Sequence, residues 1–523
     1  MPLKGSDATR WCSERQGALR PLPFTGVRFG SKLTMTVSAK GASRGQVLEM
    51  TDERIRDDDH LRFAEPYEPL DYEPFRQSYV LPQWKDTRSL HKKRPSRDLG
   101  TARHTDRSVY YSREIMDQEW DRIWSRVWLL AGHLTDIPKE NSFMKVDRGR
   151  ESVIVVRGKG QNVRAMYNVC QHRGTRLIEQ DFGSTRKFVC PFHKWEFSNT
   201  GELLKIEDRE TFREQAICHD LNLPKVRTAV WRGWVFITLN DDAPPLEEFL
   251  GKDFMDLMAP YDFEKVLRIR DVQQEWPANW KIAHEAFIEG YHVQATHPQL
   301  YPAVDAYHAQ TDLFNNGHGL SVYQFMSPSP QYISRLSDGL VEEHKIFLRE
   351  AGIPEKDWPK HWSEVPGAII QAKLAKRDSA IDYSKFAEGQ LVDDWSFGIF
   401  PTTEMFLHPE GFFIQNWLPH PTDPEKCVYT VQVYAVPGIG ELPSFMAVEN
   451  ADMSGKKVLP RTYIDTDDLK NLGPVISQDR VLVPRVQQGM RSKGFKGAVY
   501  SEQEVRIRHF FDEYYRYLQG LKG

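Results

Sequence analysis

Hydrophobic residues recur at helical spacing just after residue 106, and short apolar segments separated by turns follow them. Ser112 is a typical N-cap residue, and the apolar residues after it fall on one side of a helix. These apolar residues are Ile115, Met116, Trp120, Ile123 and Trp124. The pattern therefore predicts one amphipathic helix that leads into a β-rich region.

After Trp128 the apolar residues form short runs that are bounded by turn residues. The runs at 153–156, 165–167, 187–189 and 234–237 predict strands. Asn199-Thr200-Gly201 predicts a turn, and the stretch 240–245, which contains two prolines, predicts a linker. Together these signals predict a small all-β domain that ends at this linker.

The rest of the chain mixes helical and strand patterns. Its predicted elements are a helical run from Asn279 to His292, a hairpin over 405–417, a strand over 428–436 and a terminal helix over 501–518. Residues 320–390, roughly, resemble a helical insertion that could cover the entrance of a pocket. The expected fold class is therefore α+β, with a small all-β domain and a larger α+β domain.

Three segments follow from these patterns. Residues 1–105 are charged and interrupted by glycine and proline, so we expect an arm that is partly disordered or wraps around the rest. Residues 106–243 are expected to hold the β domain with its leading helix, and residues 246–523 the larger domain. Residues 1–49 are also consistent with upstream sequence before a start at Met50.

Composition narrows the possible partners. The 523 residues carry a net charge of −4, which gives no electrostatic reason to bind nucleic acid or anionic membranes. There is no run of about 18 apolar residues, and no apolar signal-peptide segment follows the basic N-terminus. The five cysteines are too scattered for a disulfide framework. The expectation is a cytoplasmic protein.

Two cysteine–histidine pairs carry the strongest chemical signal. Cys170-x-His172 and Cys190-x-x-His193 place one thiolate and one imidazole on each of two loops. Zinc sites usually open with two closely spaced cysteines. The mixed pairs instead suit a [2Fe–2S] cluster in which two histidines replace two cysteines on one iron. A zinc knuckle, or unrelated buried Cys and His residues, is the alternative interpretation.

A second candidate metal site follows the linker. Glu289 and His292 are three residues apart, as neighbours on one helix face are, and His297 lies five residues after His292. Pro298 disfavours the helical conformation at His297, so this side chain is free to turn toward His292. Two histidines need only one carboxylate to form a facial triad for Fe(II). An isolated pair with this spacing is more often surface or core, but here it follows a cluster motif.

The segments CQHRG and CPFHKW, followed by EGYHVQATHP, resemble the metal motifs of the large α subunit of Rieske non-haem iron oxygenases, the aromatic-ring-hydroxylating family. The resemblance covers about residues 110–515. It implies a Rieske [2Fe–2S] domain and a helix-grip catalytic domain of the START/Bet v1-like kind. The implied cluster ligands are Cys170, His172, Cys190 and His193.

The resemblance also implies a mononuclear iron bound by His292, His297 and a downstream aspartate. Asp479, eight residues before Gln487, matches the family pattern best. The alternatives are Asp465, Asp467 and Asp468. An aspartate at a helix start is often only a cap, which weakens these alternatives.

Glu289 matches the carboxylate that, in the family, links a cluster histidine of one subunit to an iron-binding histidine of the next. The resemblance therefore implies a catalytic role for Glu289 as a bridge between His193 and His292 of the partner subunit. A solvated helical carboxylate is the alternative. Two positions depart from the family pattern, because Lys194 stands where glycine is usual and Ala286 where asparagine is frequent.

The implied activity is that of the terminal oxygenase in a multicomponent system. Electrons from NAD(P)H would arrive through a reductase or ferredoxin, and O₂ would be used for mono- or dihydroxylation of an apolar aromatic or alicyclic substrate. The implied assembly is a homotrimer, with or without a small β subunit. The alternatives are a Rieske-type electron carrier, a zinc-stapled binding protein and an oxygenase of the quaternary-amine or demethylating branch.

Four apolar residues of the larger domain are candidate walls of a substrate pocket. They are Phe397, Phe400, Met405 and Phe413. Aromatic stripes belong to a core more often than to a pocket, so a buried core is the alternative interpretation.

Overall fold

The computed structural model of the chain describes residues 103–160, 162–330, 339–377, 379–439, 442–446 and 458–522. Nearly all of the predicted N-terminal arm, residues 1–105, lies outside these described residues. Among the helices in the described ranges, none has both the length and the hydropathy that crossing a membrane requires.

The described chain starts with a β-rich region. Its strands are β1 (Arg103–His104), β2 (Leu129–His133), β3 (Ser142–Arg148), β4 (Glu151–Arg157), β5 (Val163–Tyr167), β6 (Phe182–Ser184), β7 (Lys187–Val189), β8 (Glu196–Ser198), β9 (Leu203–Lys205), β10 (Lys225–Trp231) and β11 (Trp234–Thr238). Seven of them form a sheet in the order β2-β11-β10-β5-β4-β3-β6, and β7-β8-β9 form a smaller one. The four strands predicted here are confirmed as parts of β4, β5, β7 and β11.

Helix α1 (Arg113–Glu119) precedes the seven-stranded sheet and continues as a π-helical turn, Trp120–Trp124. The Ser112 hydroxyl accepts a hydrogen bond from the Ile115 N–H at 3.2 Å, so the predicted cap is confirmed. Helix α2 (Glu214–Ile217) lies in the connection between β9 and β10. Trp124 packs 5.1 Å from Trp280, and thus the π-helical turn after α1 contacts the second domain.

The second domain is built on one large sheet. Its strands are β12 (Leu267–Trp276), β13 (Val304–Leu313), β14 (Gly319–Phe325), β15 (Asp394–Ile399), β16 (Thr403–His408), β17 (Gly411–Pro419), β18 (Cys427–Ala435) and β19 (Thr462–Tyr463). They lie in the order β13-β14-β15-β16-β17-β18-β12-β19, and the short β20 (Ala498–Val499) pairs with β1. The predicted hairpin and strand are confirmed as β16-β17 and β18.

Eight helices accompany this sheet. They are α3 (Leu246–Leu250), α4 (Lys252–Leu257), α5 (Trp280–Glu285), α6 (Val293–Thr296), α7 (Glu342–Glu350), α8 (Val365–Ala375), α9 (Pro474–Met490) and α10 (Val505–Leu518), counted over the described residues. The predicted terminal helix corresponds to α10, and the predicted insertion contains α7 and α8.

The continuous helix predicted from Asn279 to His292 is wrong, because α5 ends at Glu285. The Glu289 carboxylate accepts hydrogen bonds from the backbone N–H groups of Tyr291 and His292. A side chain that binds nearby backbone donors competes with helical hydrogen bonds and favours a turn. Glu289 and His292 are therefore neighbours across a turn and not along a helix face.

The eight-stranded sheet is packed on both faces. On one face, Trp417 of β17 packs 5.3 Å from His284 of α5. On the other face, Tyr434 of β18 packs 5.0 Å from Trp234 of β11, in the β-rich domain. Successive side chains along each strand point to opposite faces of the sheet. The position of a residue in this alternation therefore decides whether its side chain packs on α5 or on the β-rich domain.

A buried group of charges joins the two domains. Arg268 on β12 has its Nε atom 3.1 Å from Oδ1 of Asp136, which follows β2. The same guanidinium donates to Asp271, and Arg461 donates to Asp271 at 3.1 Å. The side chains of Arg268, Asp136 and Asp271 are at most 3% exposed. Each carboxylate is therefore buried beside a cation, as the desolvation of charge requires.

We expect Arg268→Met to lower the free energy of unfolding by about 3–5 kcal/mol, because Asp136 would then be buried without its cation. Urea unfolding followed by tryptophan fluorescence measures this effect. Lys252→Met is the control, since it breaks only an exposed pair with Asp256. Equal urea midpoints for the two variants would show that the buried charges do not hold the domains together.

Candidate metal centres

The two cysteine–histidine loops have the same backbone structure. In each loop the cysteine carbonyl accepts the N–H of the residue four positions later at 3.0 Å, and the cysteine N–H donates to the carbonyl five positions later at 2.8–2.9 Å. The fifth residue of each loop, Gly174 or Lys194, has a positive φ, of 78° and 57° respectively. Lys194 therefore adopts the conformation of the glycine that it replaces in the family pattern.

These loops bring their four candidate ligands together. Cys170 and Cys190 are buried, and the rings of His172 and His193 lie 4.6 Å apart. The Nδ1 atoms of both histidines are buried and have no hydrogen-bond partner within the described residues. Buried polar atoms without partners are costly, unless they bind a ligand. The donor set of two thiols and two free Nδ1 atoms fits a Rieske cluster.

The surroundings of the loops are apolar on one side and open on the other. Trp195 stacks on His172 with ring centroids 4.9 Å apart. Phe192 lies beside His193 at 3.8 Å and is 55% exposed. Burial raises the pKa of the Cys170 thiol to about 11, so a bound cation is needed to keep this sulfur as a thiolate at neutral pH. The exposed ring beside His193 marks the open side.

The second group of candidate ligands comes from α9 and from both ends of the short helix α6. His292 precedes α6, His297 follows it, and Asp479 lies on α9. The two Nε2 atoms are 3.3 Å apart, and they lie 3.5 and 3.2 Å from Oδ1 of Asp479. Adjacent ligands of an ion bound at about 2.1 Å are about 3 Å apart, so this spacing fits one metal ion.

A hydrogen bond at Nδ1 orients each of the two imidazoles of this triad. Nδ1 of His292 lies 2.5 Å from Oε1 of Glu289, and Nδ1 of His297 lies 2.7 Å from Oε1 of Gln478. With Nδ1–H as the donor, each Nε2 presents its lone pair to the centre of the triad. Gln478 was missed by the sequence analysis, although it directly precedes Asp479.

The alternative aspartates lie outside this group. The side chain of Asp468 accepts the Asn471 amide at 2.6 Å, and the carbonyl of Asp465 accepts from Gln274. Asp467 is exposed. The structure thus brings together His292, His297 and Asp479, the set that the resemblance favoured.

A cavity of about 190 Å³ opens beside the triad. Its walls are mainly apolar, and its aromatic residues are Phe287, Tyr323, Phe325 and Phe406. Asp394 and Gln415 add two polar groups. A largely apolar cavity with a few polar groups next to candidate ligands is typical of an active site.

The four residues predicted as pocket walls do not line this cavity. They are Phe397, Phe400, Met405 and Phe413. Phe397 and Met405 form a cross-strand pair on the opposite face of the sheet, where Phe397 packs 5.4 Å from Phe254. Phe400 packs on α10, and Phe413 lies 6.4 Å from Phe445. The prediction was wrong for Phe397 and Met405 because apolar character does not reveal which face of a sheet a residue occupies. Phe413 lies on the cavity face, opposite Phe406, but outside the cavity.

We expect Gly174→Ala to destabilise the protein by about 1–2 kcal/mol, because a Cβ is unfavourable at positive φ. The space around Gly174 is open, so the backbone conformation alone causes this cost. Lys194→Gly should instead stabilise the protein, by less than about 1 kcal/mol. Thermal unfolding of the two variants checks the difference, and a shift of the same sign in both would contradict it.

Comparison with known proteins agrees with this arrangement. Residues 127–224 match the Rieske [2Fe–2S] domain, and residues 263–520 match the catalytic domain of ring-hydroxylating α subunits. The anthranilate 1,2-dioxygenase large subunit of Acinetobacter baylyi is 35% identical over 197 residues, which cover 36% of this chain and 42% of that protein.

The oxygenase subunit of glycine betaine monooxygenase from Pseudomonas aeruginosa is 32% identical over 191 residues, which cover 36% of this chain and 44% of that protein. The aligned segments thus span less than half of these two relatives. The structure of naphthalene 1,2-dioxygenase with indole bound matches with a TM-score of 0.56 and 19% identity, covering 80% of this chain and 93% of that one, and it supports the fold alone. With both domains present in this order, the chain belongs to the Rieske oxygenase α subunits.

Proposed function

We propose that this chain is the terminal oxygenase component of a multicomponent system that hydroxylates an apolar aromatic or alicyclic substrate. The observation that carries the proposal is the apolar cavity beside His292, His297 and Asp479, in a chain that also has the two cluster loops. A protein that only carries electrons needs the loops alone, and the triad and the cavity would then have no role.

In this proposal Cys170 and Cys190 hold one iron of the cluster, and His172 and His193 hold the other through Nδ1. His292, His297 and Asp479 hold the mononuclear Fe(II). When bound, the two centres supply electron delivery and O₂ activation. Electrons would originate from NAD(P)H and reach the cluster through a reductase or a ferredoxin.

The side chains of the protein have three tasks. Glu289 and Gln478 accept the Nδ1 protons of the two histidines and thereby keep both Nε2 atoms directed at one point. The apolar walls exclude water and bind the hydrocarbon part of a substrate. Gln415 and Asp394 provide the polar contacts that would orient the substrate.

An oxygenase of the quaternary-amine branch is the second candidate. The four aromatic rings of the cavity and the carboxylate of Asp394 are the chemistry that recognises a quaternary ammonium group. Asp394 lies 3.1 Å from His408, however, which partly offsets its charge if the imidazole is protonated. Turnover of aromatic acids, alicyclic acids and betaines under ¹⁸O₂ distinguishes the two candidates and counts the oxygen atoms incorporated.

Assembly as a homotrimer, with or without a β subunit, is part of the proposal. Tyr291, between Glu289 and His292, is 56% exposed, and Phe192 beside His193 is 55% exposed. Exposed aromatic residues at both metal sites suit an interface that joins the cluster of one subunit to the iron site of the next. Glu289 would then connect His292 of its own chain to a cluster histidine, the equivalent of His193, in the neighbouring subunit. The division into residues 106–243 and 246–523 remains a prediction.

We expect Asp479→Ala to abolish product formation and to lower the iron content from about three to about two atoms per chain. The visible spectrum of the cluster should persist, because its ligands lie in the other domain. Iron analysis and absorption spectra of anaerobically purified protein check this. Asp468→Ala is the control, and loss of iron in that variant alone would overturn the choice of Asp479.

Glu289→Gln should leave both metal sites loaded. It should make the O₂-dependent reoxidation of the reduced cluster more than tenfold slower. The amide would present an NH₂ group where an imidazole N–H needs an acceptor. Stopped-flow absorption of the cluster in a single turnover measures the rate.

The matched control for this experiment is Glu285→Gln. Burial raises the pKa of Glu285 to about 8, so its carboxyl is mostly protonated at neutral pH and resembles an amide. Its reoxidation rate should stay near that of the parent protein. A normal rate in Glu289→Gln would show that this carboxylate does not couple the two centres.

A further inference from the structure

A second cavity, of about 320 Å³, lies between the insertion and the sheet. Phe347 of α7 and Lys373 of α8 line it from the insertion, and His408 lines it from the end of β16. Glu410, in the turn after β16, and Phe445 also line it. Neither the metal ligands nor the proposed reaction accounts for this cavity.

One layer of side chains separates this cavity from the one beside the triad. Phe325 lines the first cavity, and its ring lies 6.2 Å from Phe347, 5.8 Å from His408 and 6.3 Å from Phe445, which all line the second. Asp394 lines the first cavity and lies 3.1 Å from His408. A rotation of the Phe325 side chain would therefore connect the two cavities.

The second cavity contains a buried acceptor without a donor. Lys373 and Tyr383 both contact Oε1 of Glu410, at 2.8 and 3.0 Å. Oε2 of Glu410 is buried and has no hydrogen-bond donor among the described residues. The side chain of Glu410 is only 9% exposed, so water hydrates this oxygen poorly. A buried acceptor of this kind favours a ligand that donates a hydrogen bond.

The charges around Glu410 indicate which donor fits. Lys373, Lys376 and Arg349 line the cavity and disfavour a cationic group. Glu410 and Glu350 also line it and disfavour an anionic group. Although burial alone would raise the pKa of Glu410, Lys373 holds this pKa below its usual value, so the carboxylate stays ionised as an acceptor. A neutral donor, such as a hydroxyl or a primary amide, is the chemistry that remains.

The geometry points to a substrate that spans both cavities, with its apolar part beside the triad and a neutral hydrogen-bond donor at Oε2 of Glu410. Phe325 then determines how far a substrate extends beyond the first cavity. This inference rests on the proposed function, because it uses the first cavity as the reaction site.

The test is the binding of ω-phenylalkan-1-ols with two to eight methylene groups to the anaerobic holoprotein, measured by calorimetry. Affinity should rise by at least tenfold once the chain is long enough to reach Glu410. The ω-phenylalkanoates and ω-phenylalkylamines of equal length should lack this gain. An affinity that rises smoothly with length, or that is equal for the three end groups, would overturn the inference.

Variants of Phe325 and Glu410 test which residues cause the rise in affinity. Phe325→Trp should remove the rise in affinity from short to long alcohols, because a larger ring closes the passage. Phe413→Trp is the matched control, since Phe413 is on the same sheet but lines neither cavity. Glu410→Gln should lower the affinity of the long alcohols by at least tenfold, and unchanged affinities in both Phe325→Trp and Glu410→Gln would refute the two-cavity site.

Binding and turnover separate this inference from the proposed function. If the long alcohols bind with the expected dependence on end group but no oxygen from ¹⁸O₂ enters any of them, the two-cavity site stands and the oxygenase proposal fails. If short and long aromatic compounds are hydroxylated alike and bind without dependence on length, the oxygenase proposal stands and the two-cavity site fails.

Discussion

The rest of the structure depends on an eight-stranded sheet that is packed on both faces. Trp417 and its neighbours pack on α5 on one face, whereas Tyr434 and Phe412 pack against Trp234 and Phe263 on the other. Because successive side chains point to opposite faces, one face holds the triad and its cavity, and the other holds the cluster domain. The buried Arg268 and Asp136 fix the register of this contact.

The iron site depends on interrupted helices rather than on a long one. After α5, the Glu289 carboxylate accepts two backbone N–H groups and forms a turn in place of further helix. His297 lies just beyond α6, before Pro298. Two histidines five residues apart can therefore direct their Nε2 atoms to one point. The long helix α9 supplies Asp479, and its neighbour Gln478 orients His297. The ligand geometry thus comes from turns that the Glu289 carboxylate and Pro298 favour.

The relatives include an anthranilate dioxygenase and a glycine betaine monooxygenase, whose named substrates differ in charge. Under the proposed function, the aromatic walls of the cavity beside the triad suit both an aromatic ring and a quaternary ammonium group. The polar groups around the cavity would then decide between these two substrate classes. Asp394 and His408 lie at the boundary between the two cavities, and Glu410 lies in the second. In the proposed two-cavity site, the insertion would therefore contribute to substrate choice.

The sequence by itself determined the α+β fold, the cap at Ser112 and the cysteine and histidine candidates for both metals, because these depend on local spacing and on the chemistry of Cys and His. Asp479 was indicated only by the resemblance to a known family. The sequence did not determine the turn at Glu289, the partner of His297 or the walls of the cavity. Phe397 and Phe406 are equally apolar, yet they lie on opposite faces, since the pairing of distant strands sets which face each residue occupies. Only the tertiary structure decided these contacts, because they join residues that are far apart in the chain.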